Sequence, residues 1–291
     1  MTKIKIKAYA KINLMLDIVN RRTDGYHDLF MVMQSVGIHD DVTVEKTNDG
    51  FITLSCSDET IPTDERNIAH KAARAFFKMA DVKNTGVSIH IEKRIPSAAG
   101  LAGGSADGAA VIVALNELFS TSLSEKELCK IGVTVGADLP FCICGGTKLA
   151  QGIGDVLSSL KPLRQCFIVL AKPEYGVNTA KAYKAFDEHG KCREPDKLSM
   201  LKAMQNRNLD EICSLMSNSF EEFVEVPDRV RIRSVMYDHG AKGVCMSGSG
   251  PTTFGVFYDK DNANKCAQAL CEFVKDVVVC KPVSVGCKIC K

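Results

Sequence analysis

The segment best suited to chemistry is a short turn of small residues. Gly100, Gly103, Gly104 and Ser105 lie between a stretch with strand periodicity and a helical stretch. Backbone N–H groups at a helix N-terminus lack internal partners and carry partial positive charge, so they bind anions, and glycines let an oxygen approach closely. No Gly-Lys-Ser/Thr follows and the spacing is not GxGxxG, which excludes the Walker and dinucleotide loops. The turn predicts a phosphate site, with a plain tight connection as the alternative.

Two further regions carry groups that could hold a ligand. Ser247-Gly-Ser-Gly-Pro-Thr is a second loop of small residues, able to lie flat against a ligand or against the first loop. Ala10-Lys11-Ile12-Asn13-Leu14 places a lysine and an amide on a strand. Arg-Thr-Asp24-Gly-Tyr26-His27 follows as a turn that bears an aromatic ring and an imidazole.

Together these motifs resemble, in order and type, those of the GHMP kinase superfamily. The likeness falls near residues 10 to 28, 94 to 110, 136 to 140 and 246 to 252. It implies an enzyme that phosphorylates an alcohol with ATP. The Asp-Gly-Tyr-His turn is similar to that of the members acting on a cytidine diphosphate-linked methylerythritol, whose 2-hydroxyl is phosphorylated on the non-mevalonate (MEP) route to isoprenoid precursors.

The resemblance also implies an α+β protein with the two-domain GHMP kinase fold. We expect a β-rich, ATP-binding N-terminal domain over residues 1–160 and a C-terminal domain over 161–291 that is a ferredoxin-like α/β sandwich. Glycines and prolines between residues 145 and 173 mark the seam. Strands and helices that alternate without a regular βαβ rhythm agree with α+β.

Catalysis is assigned by the resemblance to Asp138 and Lys11. Asp138, in Gly-Ala-Asp-Leu-Pro140, matches the family's catalytic carboxylate, and Lys11 matches its partner. Phosphoryl transfer depends mainly on positioning and charge stabilisation, so one carboxylate to accept the hydroxyl proton and one ammonium suffice. Without the resemblance, Asp138 is a cap or turn residue and Lys11 a lysine on a strand face.

ATP is the implied cofactor, with Mg²⁺ bridging its β- and γ-phosphates. Asn67 and the Lys93-Arg94 pair are expected near the nucleotide; their ordinary alternatives are a helix start and a solvated strand end. The residues expected to wrap the phosphates are Pro96, Ser97, Ala98, Ala99, Gly100, Leu101, Ala102, Gly103, Gly104, Ser105 and Ala106. Ala102 and Ala106 replace a glycine and a serine of the usual motif. No protein ligand of the metal is therefore assigned, although the Ser105 hydroxyl is a candidate neighbour.

Substrate recognition is expected from the turn near the N-terminus and from the second half of the chain. Cytosine needs a π face and hydrogen-bonding partners, which Tyr26 and His27 can offer. Asn13 is expected near the erythritol hydroxyls. Tyr175 is either an opposite aromatic wall or ordinary core. The remaining residues expected at the substrate are Thr179, Gly248 and Ser249.

The elements that must position these residues follow from hydrophobic periodicity. Strands are predicted over residues 3–7, 42–45 and 87–95, and Asn48-Asp-Gly predicts a hairpin turn into a strand over 51–54. Helices are predicted to begin near residue 67, with Asp64 or Asn67 as the cap, at residue 106, and at Ser124 with a capping box. Residues 178–238 are helix-rich. The last segments indicate strands over 243–246, 252–258 and 277–280 and a helix over 263–275.

Composition excludes several classes of protein. Lys and Arg total 37 against 35 Asp and Glu, and this formal charge of +2 supplies no field for binding nucleic acid or an anionic membrane. No apolar run reaches the roughly 18 residues that span a bilayer. We expect a cytoplasmic protein with a small-molecule substrate, acting as a monomer or a weak homodimer.

The 13 cysteines are expected to be reduced thiols. Cys287-Lys-Ile-Cys290 has zinc-ligand spacing, with Cys280 and Cys271 as further candidate ligands, and frayed terminal cysteines are the alternative. Three other functions stay open: a superfamily kinase for another alcohol, in which Tyr26 and His27 are structural; a nucleotide-binding regulator without catalysis; and a zinc- or thiol-based redox function at the terminal cysteines.

Overall fold

Two β-sheets with helices packed on them make up the computed structural model, which describes residues 2–83, 86–163, 165–190 and 192–290. The strands are β1 (Lys3–Arg21), β2 (His27–Lys46), β3 (Ile52–Cys56), β4 (Val87–Glu92), β5 (Thr147–Gln151), β6 (Val156–Ser159), β7 (Phe167–Lys172), β8 (Ser217–Asn218), β9 (Gly243–Met246), β10 (Thr253–Phe257), β11 (Asp276–Cys280) and β12 (Cys287–Cys290). The α-helices are α1 (Ile68–Met79), α2 (Gly103–Leu118), α3 (Glu125–Val133), α4 (Leu139–Cys144), α5 (Thr179–His189), α6 (Lys197–Asn206), α7 (Leu209–Ser214), α8 (Arg229–Asp238) and α9 (Lys260–Leu270).

The first sheet is built around the long antiparallel pair of β1 and β2. Its order is β12-β1-β2-β4-β3. In addition, β5 pairs with β2, β6 pairs with β5, and β8 pairs with β1. The predicted strand at Lys3 continues to Arg21. Shifts of register with β2 occur between Tyr9 and Ala10 and between Asn13 and Met15. Because such bulges re-aim side chains, these two set the direction of the segment that carries Lys11.

The hairpin predicted at Asn48-Asp-Gly is wrong. β3 pairs in parallel with β4, and β4 lies between β2 and β3. The inward residues of β4, Val87, Ile89 and Ile91, are fully buried, whereas those of β3 are only half-buried. The more apolar strand therefore takes the inner position, and β3 takes the edge.

The helices of the first half pack through small residues. α2 begins at Gly103, three residues before the predicted start, and a Cβ on its Gly108 would lie 3.0 Å from Ile68 of α1. The predicted caps are confirmed: Asn67 accepts a hydrogen bond from the N–H of Ala69 at α1, and α3 opens with a complete Ser124 capping box. Close packing of α1 on α2 fixes the start of α2.

The second sheet confirms the ferredoxin-like arrangement. Its order is β11-β7-β10-β9, all antiparallel, with the helical segment α5–α8 between β7 and β9 and with α9 between β10 and β11. This is the β-α-β-β-α-β connection of that fold. The predicted strands appear within two residues of their expected bounds, and α9 ends at Leu270 instead of residue 275.

The end of the chain returns to the first sheet. β12 pairs antiparallel with β1, so that Cys287 faces Ala8 and Cys290 faces Lys5. Among the described residues, no group of three or more His, Cys, Asp or Glu side chains is placed to hold a metal ion. The terminal cysteines therefore do not assemble into the zinc site considered from the sequence. A search of the described helices finds none with the length and apolarity to cross a bilayer.

Candidate active site

A cavity of about 940 Å³ lies where the first sheet, the two small-residue loops and α5 meet. Lys11 of β1, the loop from Pro96 to Ser105, Asp138 and Gly248 all contribute to its walls. The turn with Tyr26 and His27 forms its other end. Motifs that are far apart in the sequence thus face one volume, which is large enough for a nucleotide and a second small molecule.

Lys11 and Asp138 face each other at the centre of the cavity. Lys11 is buried, and its Nζ lies 2.8 Å from Oδ1 of Asn13 and 3.9 Å from Oδ2 of Asp138. Asp138 occupies the N-cap of α4, but its carboxylate makes no capping hydrogen bond and is 35% exposed. The carboxylate is therefore available to a bound ligand.

Asn13 lies beneath the cavity and not in its wall. Its side chain is fully buried, and Oδ1 accepts hydrogen bonds from Nζ of Lys11 and, at 3.0 Å, from the backbone N–H of Gly248. Its Nδ2 lies 3.3 Å from Sδ of Met31. Instead of the expected contact with substrate hydroxyls, Asn13 makes hydrogen bonds that orient Lys11 and connect β1 to the second loop.

The two small-residue loops contact each other. Ser247 Oγ donates to the carbonyl of Gly100 at 2.9 Å, and a Cβ on Gly100 would lie 2.0 Å from the carbonyl oxygen of Ser247. Gly100 has φ +75°, and Ala98 and Ala102 also adopt positive φ. A backbone with left-handed residues at alternate positions turns successive N–H groups towards one side. Glycine at position 100 is required both by this conformation and by the close approach of the loops.

The start of α2 offers its N–H groups to the cavity. Ala102, its N-cap, has left-handed backbone angles and gives no side-chain cap, so the first-turn donors are left for a ligand. Of the residues expected at the nucleotide, those that line the cavity are Asn67, Lys93, Pro96, Ser97, Ala98, Ala99, Gly100, Ala102, Gly103, Gly104 and Ser105, whereas Arg94 does not line it. Leu101 and Ala106 are buried in the hydrophobic core behind the loop and are not in the wall.

A buried lysine between two carboxylates supports this loop. Nζ of Lys93 contacts Oδ2 of Asp40 and, at 2.7 Å, Oδ2 of Asp107, which stands in the first turn of α2. The Lys93 side chain is only 8% exposed, so it is not the solvated strand end considered above. Burial raises the pKa of Asp107 to about 7, with Asp40 adding to the rise and Lys93 opposing it. Burial lowers the pKa of Lys93, but the two carboxylates outweigh it and the net shift is upward.

The far end of the cavity is formed by the turn before β2 and by α5. The rings of His27 and Tyr183 are stacked, with centroids 4.8 Å apart and planes at 17°. Nε2 of His27 lies 2.8 Å from Oδ1 of Asp187. Because a carboxylate only accepts, Nε2 carries the proton and Nδ1 is left as an acceptor. Tyr26, 60% exposed, presents its ring at the mouth.

Comparison with known proteins agrees with this assembly. A model of the GHMP kinases N-terminal domain matches residues 67–146, and a model of the GHMP kinases C-terminal domain matches residues 200–276. A curated relative from Clostridium botulinum (strain Eklund 17B / Type B), 4-diphosphocytidyl-2-C-methyl-D-erythritol kinase, is 43% identical over 96% of this chain and 100% of its own length.

The chain belongs to the GHMP kinases. A relative of the same description from Caldicellulosiruptor bescii is 43% identical over 95% of this chain and 97% of its own. A crystal structure of 4-(cytidine 5'-diphospho)-2C-methyl-D-erythritol kinase superposes with a TM-score of 0.79 at 30% identity, covering 96% of this chain and 98% of that one. Homoserine kinase from Cytophaga hutchinsonii has a TM-score of 0.82 at 19% identity, covering 100% of this chain and 98% of that one, and shares the fold.

In this GHMP kinase the aromatic residue that reaches the substrate end is not Tyr175. Tyr175 packs against the cluster around Phe220, its hydroxyl is buried without a partner within the described residues, and it does not line the cavity. Tyr183 lines the wall in its place.

Sequence reasoning predicted Thr179 of α5 but missed Tyr183 and Asp187, which lie on the same face of the helix. Thr179, Tyr183 and Asp187 are spaced by four, so they lie one above another and all line the cavity. Thr179 Oγ1 also lies 3.0 Å from Oγ of Ser249 in the second loop. The spacing from Thr179 was the available signal, because a helix that presents one residue to a GHMP kinase site also presents those four and eight positions later.

Proposed function

We propose that this GHMP kinase transfers the γ-phosphoryl group of ATP to the 2-hydroxyl of 4-diphosphocytidyl-2-C-methyl-D-erythritol, giving the 2-phosphate and ADP in the non-mevalonate pathway. The observation that carries the proposal is one cavity with a phosphate-binding helix start, a Lys–Asp pair and an imidazole flanked by tyrosines. The curated relatives with this activity match nearly the whole chain.

Asp138 is the proposed general base. Its carboxylate accepts the proton of the substrate hydroxyl as the oxygen attacks the γ-phosphorus, a role that typically contributes about 10²–10⁴-fold. Lys11, beside Asp138, balances charge on the transferring group. The 3.9 Å between them leaves room for the reacting oxygen to contact both groups.

ATP is proposed to bind with its phosphates at the start of α2. The N-terminal N–H groups of a 16-residue helix fit a triphosphate, and the left-handed turn over residues 98–102 lets the loop close around it. Mg²⁺ is proposed to be held mainly by phosphate and water oxygens, with the Ser105 hydroxyl as its protein neighbour. Asp107 is a poor ligand for it, since one oxygen pairs with Lys93 and the other is buried.

Cytosine is proposed to bind between the rings at the far end of the cavity. Nδ1 of His27, left as an acceptor by the bond from Nε2 to Asp187, matches the donor of the cytosine amino group. Tyr26 supplies an exposed aromatic face. Thr179 and Ser249, which contact each other in the wall of the same cavity, are proposed to bind the methylerythritol diphosphate chain.

A substrate comparison tests the proposal. ADP release is measured with 4-diphosphocytidyl-2-C-methyl-D-erythritol, homoserine, mevalonate and galactose as acceptors, and the product is identified by mass spectrometry. We expect turnover with the first alone and its loss in Asp138→Asn. Equal turnover with another alcohol would show that the cytidine assignment is wrong, and ATP binding without turnover on any acceptor would favour a regulator.

We also propose that the chain works as a monomer or weak homodimer in the cytoplasm, without nucleic acid or membrane partners. Residues 1–160 and 161–291 are proposed as its two domains, except that β12 of the second range returns to the sheet of the first. All 13 cysteines are free thiols, as in a reducing compartment, and the small net charge agrees with a small-molecule partner. Sedimentation of the purified protein at micromolar concentration checks the oligomeric state. A stable dimer at the lowest concentration would contradict it.

A further inference from the structure

Two thiols outside the cavity lie in contact with each other. Sγ of Cys129 on α3 and Sγ of Cys144 at the end of α4 are 3.4 Å apart, and both residues are partly exposed. Neither lines the catalytic cavity. A disulfide bond is about 2.05 Å long, so the sulfur atoms need to approach by only about 1.3 Å.

The packing of α3 on α4 already brings the two backbones close. Gly132 lies on the same face of α3 as Cys129, three residues on, and a Cβ there would be 3.1 Å from Cβ of Leu139 and from Cδ1 of Ile143. The missing side chain lets the two helices approach. Cys129 Sγ also lies 3.7 Å from the carbonyl of Pro140, in the first turn of α4. The pair therefore sits at a tight helix contact that a covalent link would lock.

The surroundings separate the roles of the two sulfur atoms. The hydrogen bond with Cys144 lowers the pKa of Cys129; burial and the carboxylate of Glu125 oppose this effect, and Lys148 adds to it. The same contact raises the pKa of Cys144, with burial as the next cause. Because the thiolate is the nucleophile in disulfide exchange, Cys129 is the attacking group and Cys144 the resolving one. Burial raises the pKa of other thiols, including Cys166 and Cys213, to about 12, which keeps them unreactive.

The pair is connected directly to the catalytic carboxylate. α4 has six residues, Asp138 is its N-cap and Cys144 its last residue. A short, buried helix moves as a rigid body, so a displacement of its C-terminal end also displaces its N-terminal end. The link would also close residues 129–144, the segment that contains Asp138, into a covalent ring.

We propose that Cys129 and Cys144 form a reversible disulfide by exchange with a small-molecule or protein disulfide, and that this bond lowers turnover by displacing Asp138 from Lys11. The Cys129 thiolate attacks one sulfur of the oxidant, which forms a mixed disulfide and releases one thiolate. Cys144, giving up its proton to solvent, then attacks Cys129 Sγ and expels the second thiolate. Two protein thiols are oxidised and one external disulfide is reduced to two thiols, and a thiol reductant reverses both steps. Intracellular disulfides of this kind are typically transient or redox-sensing.

The test uses the full-length enzyme equilibrated in mixtures of oxidised and reduced glutathione. Free thiols are counted, the linked peptide is identified by mass spectrometry after digestion, and kcat is measured on the same samples. We expect the oxidised wild type to lose two of its 13 thiols, to yield a peptide joining Cys129 to Cys144, and to show kcat lower by about tenfold to a hundredfold. Reductant restores kcat.

Matched variants separate this pair from the other thiols. Cys129→Ser and Cys144→Ser keep the turnover of the reduced enzyme and lose its response to glutathione disulfide. Cys271→Ser, which removes an exposed thiol at the end of α9, keeps the response. Because the thiol count and peptide map need no substrate, they stand even if the proposed reaction is wrong. Absence of the linked peptide would show that Cys129 and Cys144 do not form the proposed disulfide. A linked enzyme with unchanged kcat would show that the disulfide does not displace Asp138.

Discussion

The side-chain oxygen of Asn13 accepts a hydrogen bond from the backbone N–H of Gly248, 235 residues further along the chain. The same oxygen accepts from Nζ of Lys11. One buried amide therefore sets both the direction of the Lys11 ammonium and the position of the second loop.

Asn13→Leu removes this acceptor while keeping most of the volume. Leaving buried donors unpaired costs about 1–3 kcal/mol for each group, so we expect lower stability to urea. We also expect a lower kcat, since Lys11 loses its orientation, with little change in the KM of the alcohol substrate, since Asn13 is not in the cavity wall. A large rise in that KM with kcat preserved would mean that Asn13 contacts substrate after all.

Asp138→Asn keeps the shape of the side chain and removes its ability to accept a proton. We expect kcat to fall by about 10²–10⁴-fold, with the KM for ATP nearly unchanged because the nucleotide loop is intact. Steady-state kinetics with both substrates measures this. Asp210→Asn, an exposed carboxylate on α7, is the matched control and keeps full activity. A modest loss in Asp138→Asn would exclude it as the base.

Tyr183→Leu and Tyr175→Leu separate the two tyrosines considered for the substrate wall. Tyr183 stacks on His27, and an aromatic pair contributes about 0.5–1.5 kcal/mol. We therefore expect Tyr183→Leu to raise the KM of the cytidine-bearing substrate by about threefold to tenfold, without changing the KM for ATP. Tyr175→Leu should leave both KM values close to wild type, because its ring packs away from the cavity. A raised KM of the cytidine-bearing substrate in Tyr175→Leu but not in Tyr183→Leu would support Tyr175 as the aromatic wall considered from the sequence.

Gly100→Ala tests the contact of the two loops. The new Cβ would collide with the carbonyl oxygen of Ser247, and the backbone φ of +75° disfavours any side chain. Gly50→Ala is the matched control, because Gly50 has φ +76° and open space around its Cβ position. Both variants place an alanine at a similar positive φ and so carry similar backbone strain, but only Gly100→Ala adds the collision. We therefore expect only Gly100→Ala to lose ATP binding, measured by titration calorimetry. Equal effects would show that the loops do not depend on this approach.

Asp107→Asn tests the buried charge cluster through the pH dependence of stability. Burial raises the pKa of Asp107 to about 7, above the value of about 3.9 in an unfolded chain. The folded state then binds more protons than the unfolded state between these values, so this group destabilises the wild type progressively as pH rises through that window. We expect the urea midpoint of the wild type, relative to that of the variant, to fall as the pH rises from about 4 to about 7. A difference in urea midpoint between wild type and variant that does not change with pH would mean that Asp107 ionises normally in the folded protein.

Much of the site could be predicted because its motifs are local. The glycine-rich turn, the Asp-Leu-Pro segment and the Tyr-His turn each depend on a few neighbouring residues, and each lines the cavity. The cap at Asn67 and the capping box at Ser124 were predicted for the same reason. Local chemistry of caps and turns is readable without knowing which segments meet.

What could not be predicted depends on which segments meet. The Asn48-Asp-Gly turn is a hairpin signal, yet the choice between β3 and β4 as partner of β2 was decided by burial. Lys93 is joined to Asp40 across 53 residues, and its spacing carries no hint of that pairing. Tyr175 and Tyr183 are both plausible walls from sequence, and only the packing of α5 chooses between them.

The pairing of β12 with β1 imposes an order of events on synthesis. Residues 5 to 8 emerge from the ribosome before their partners at 287 to 290, which are made about 280 residues later. At about 5–20 residues per second this delay lasts roughly 14 to 56 seconds. During that interval one border of the N-terminal sheet exposes unsatisfied backbone groups, a template for association with neighbouring nascent chains. A four-residue strand thus covers an edge of the sheet that stays open while the protein is being made.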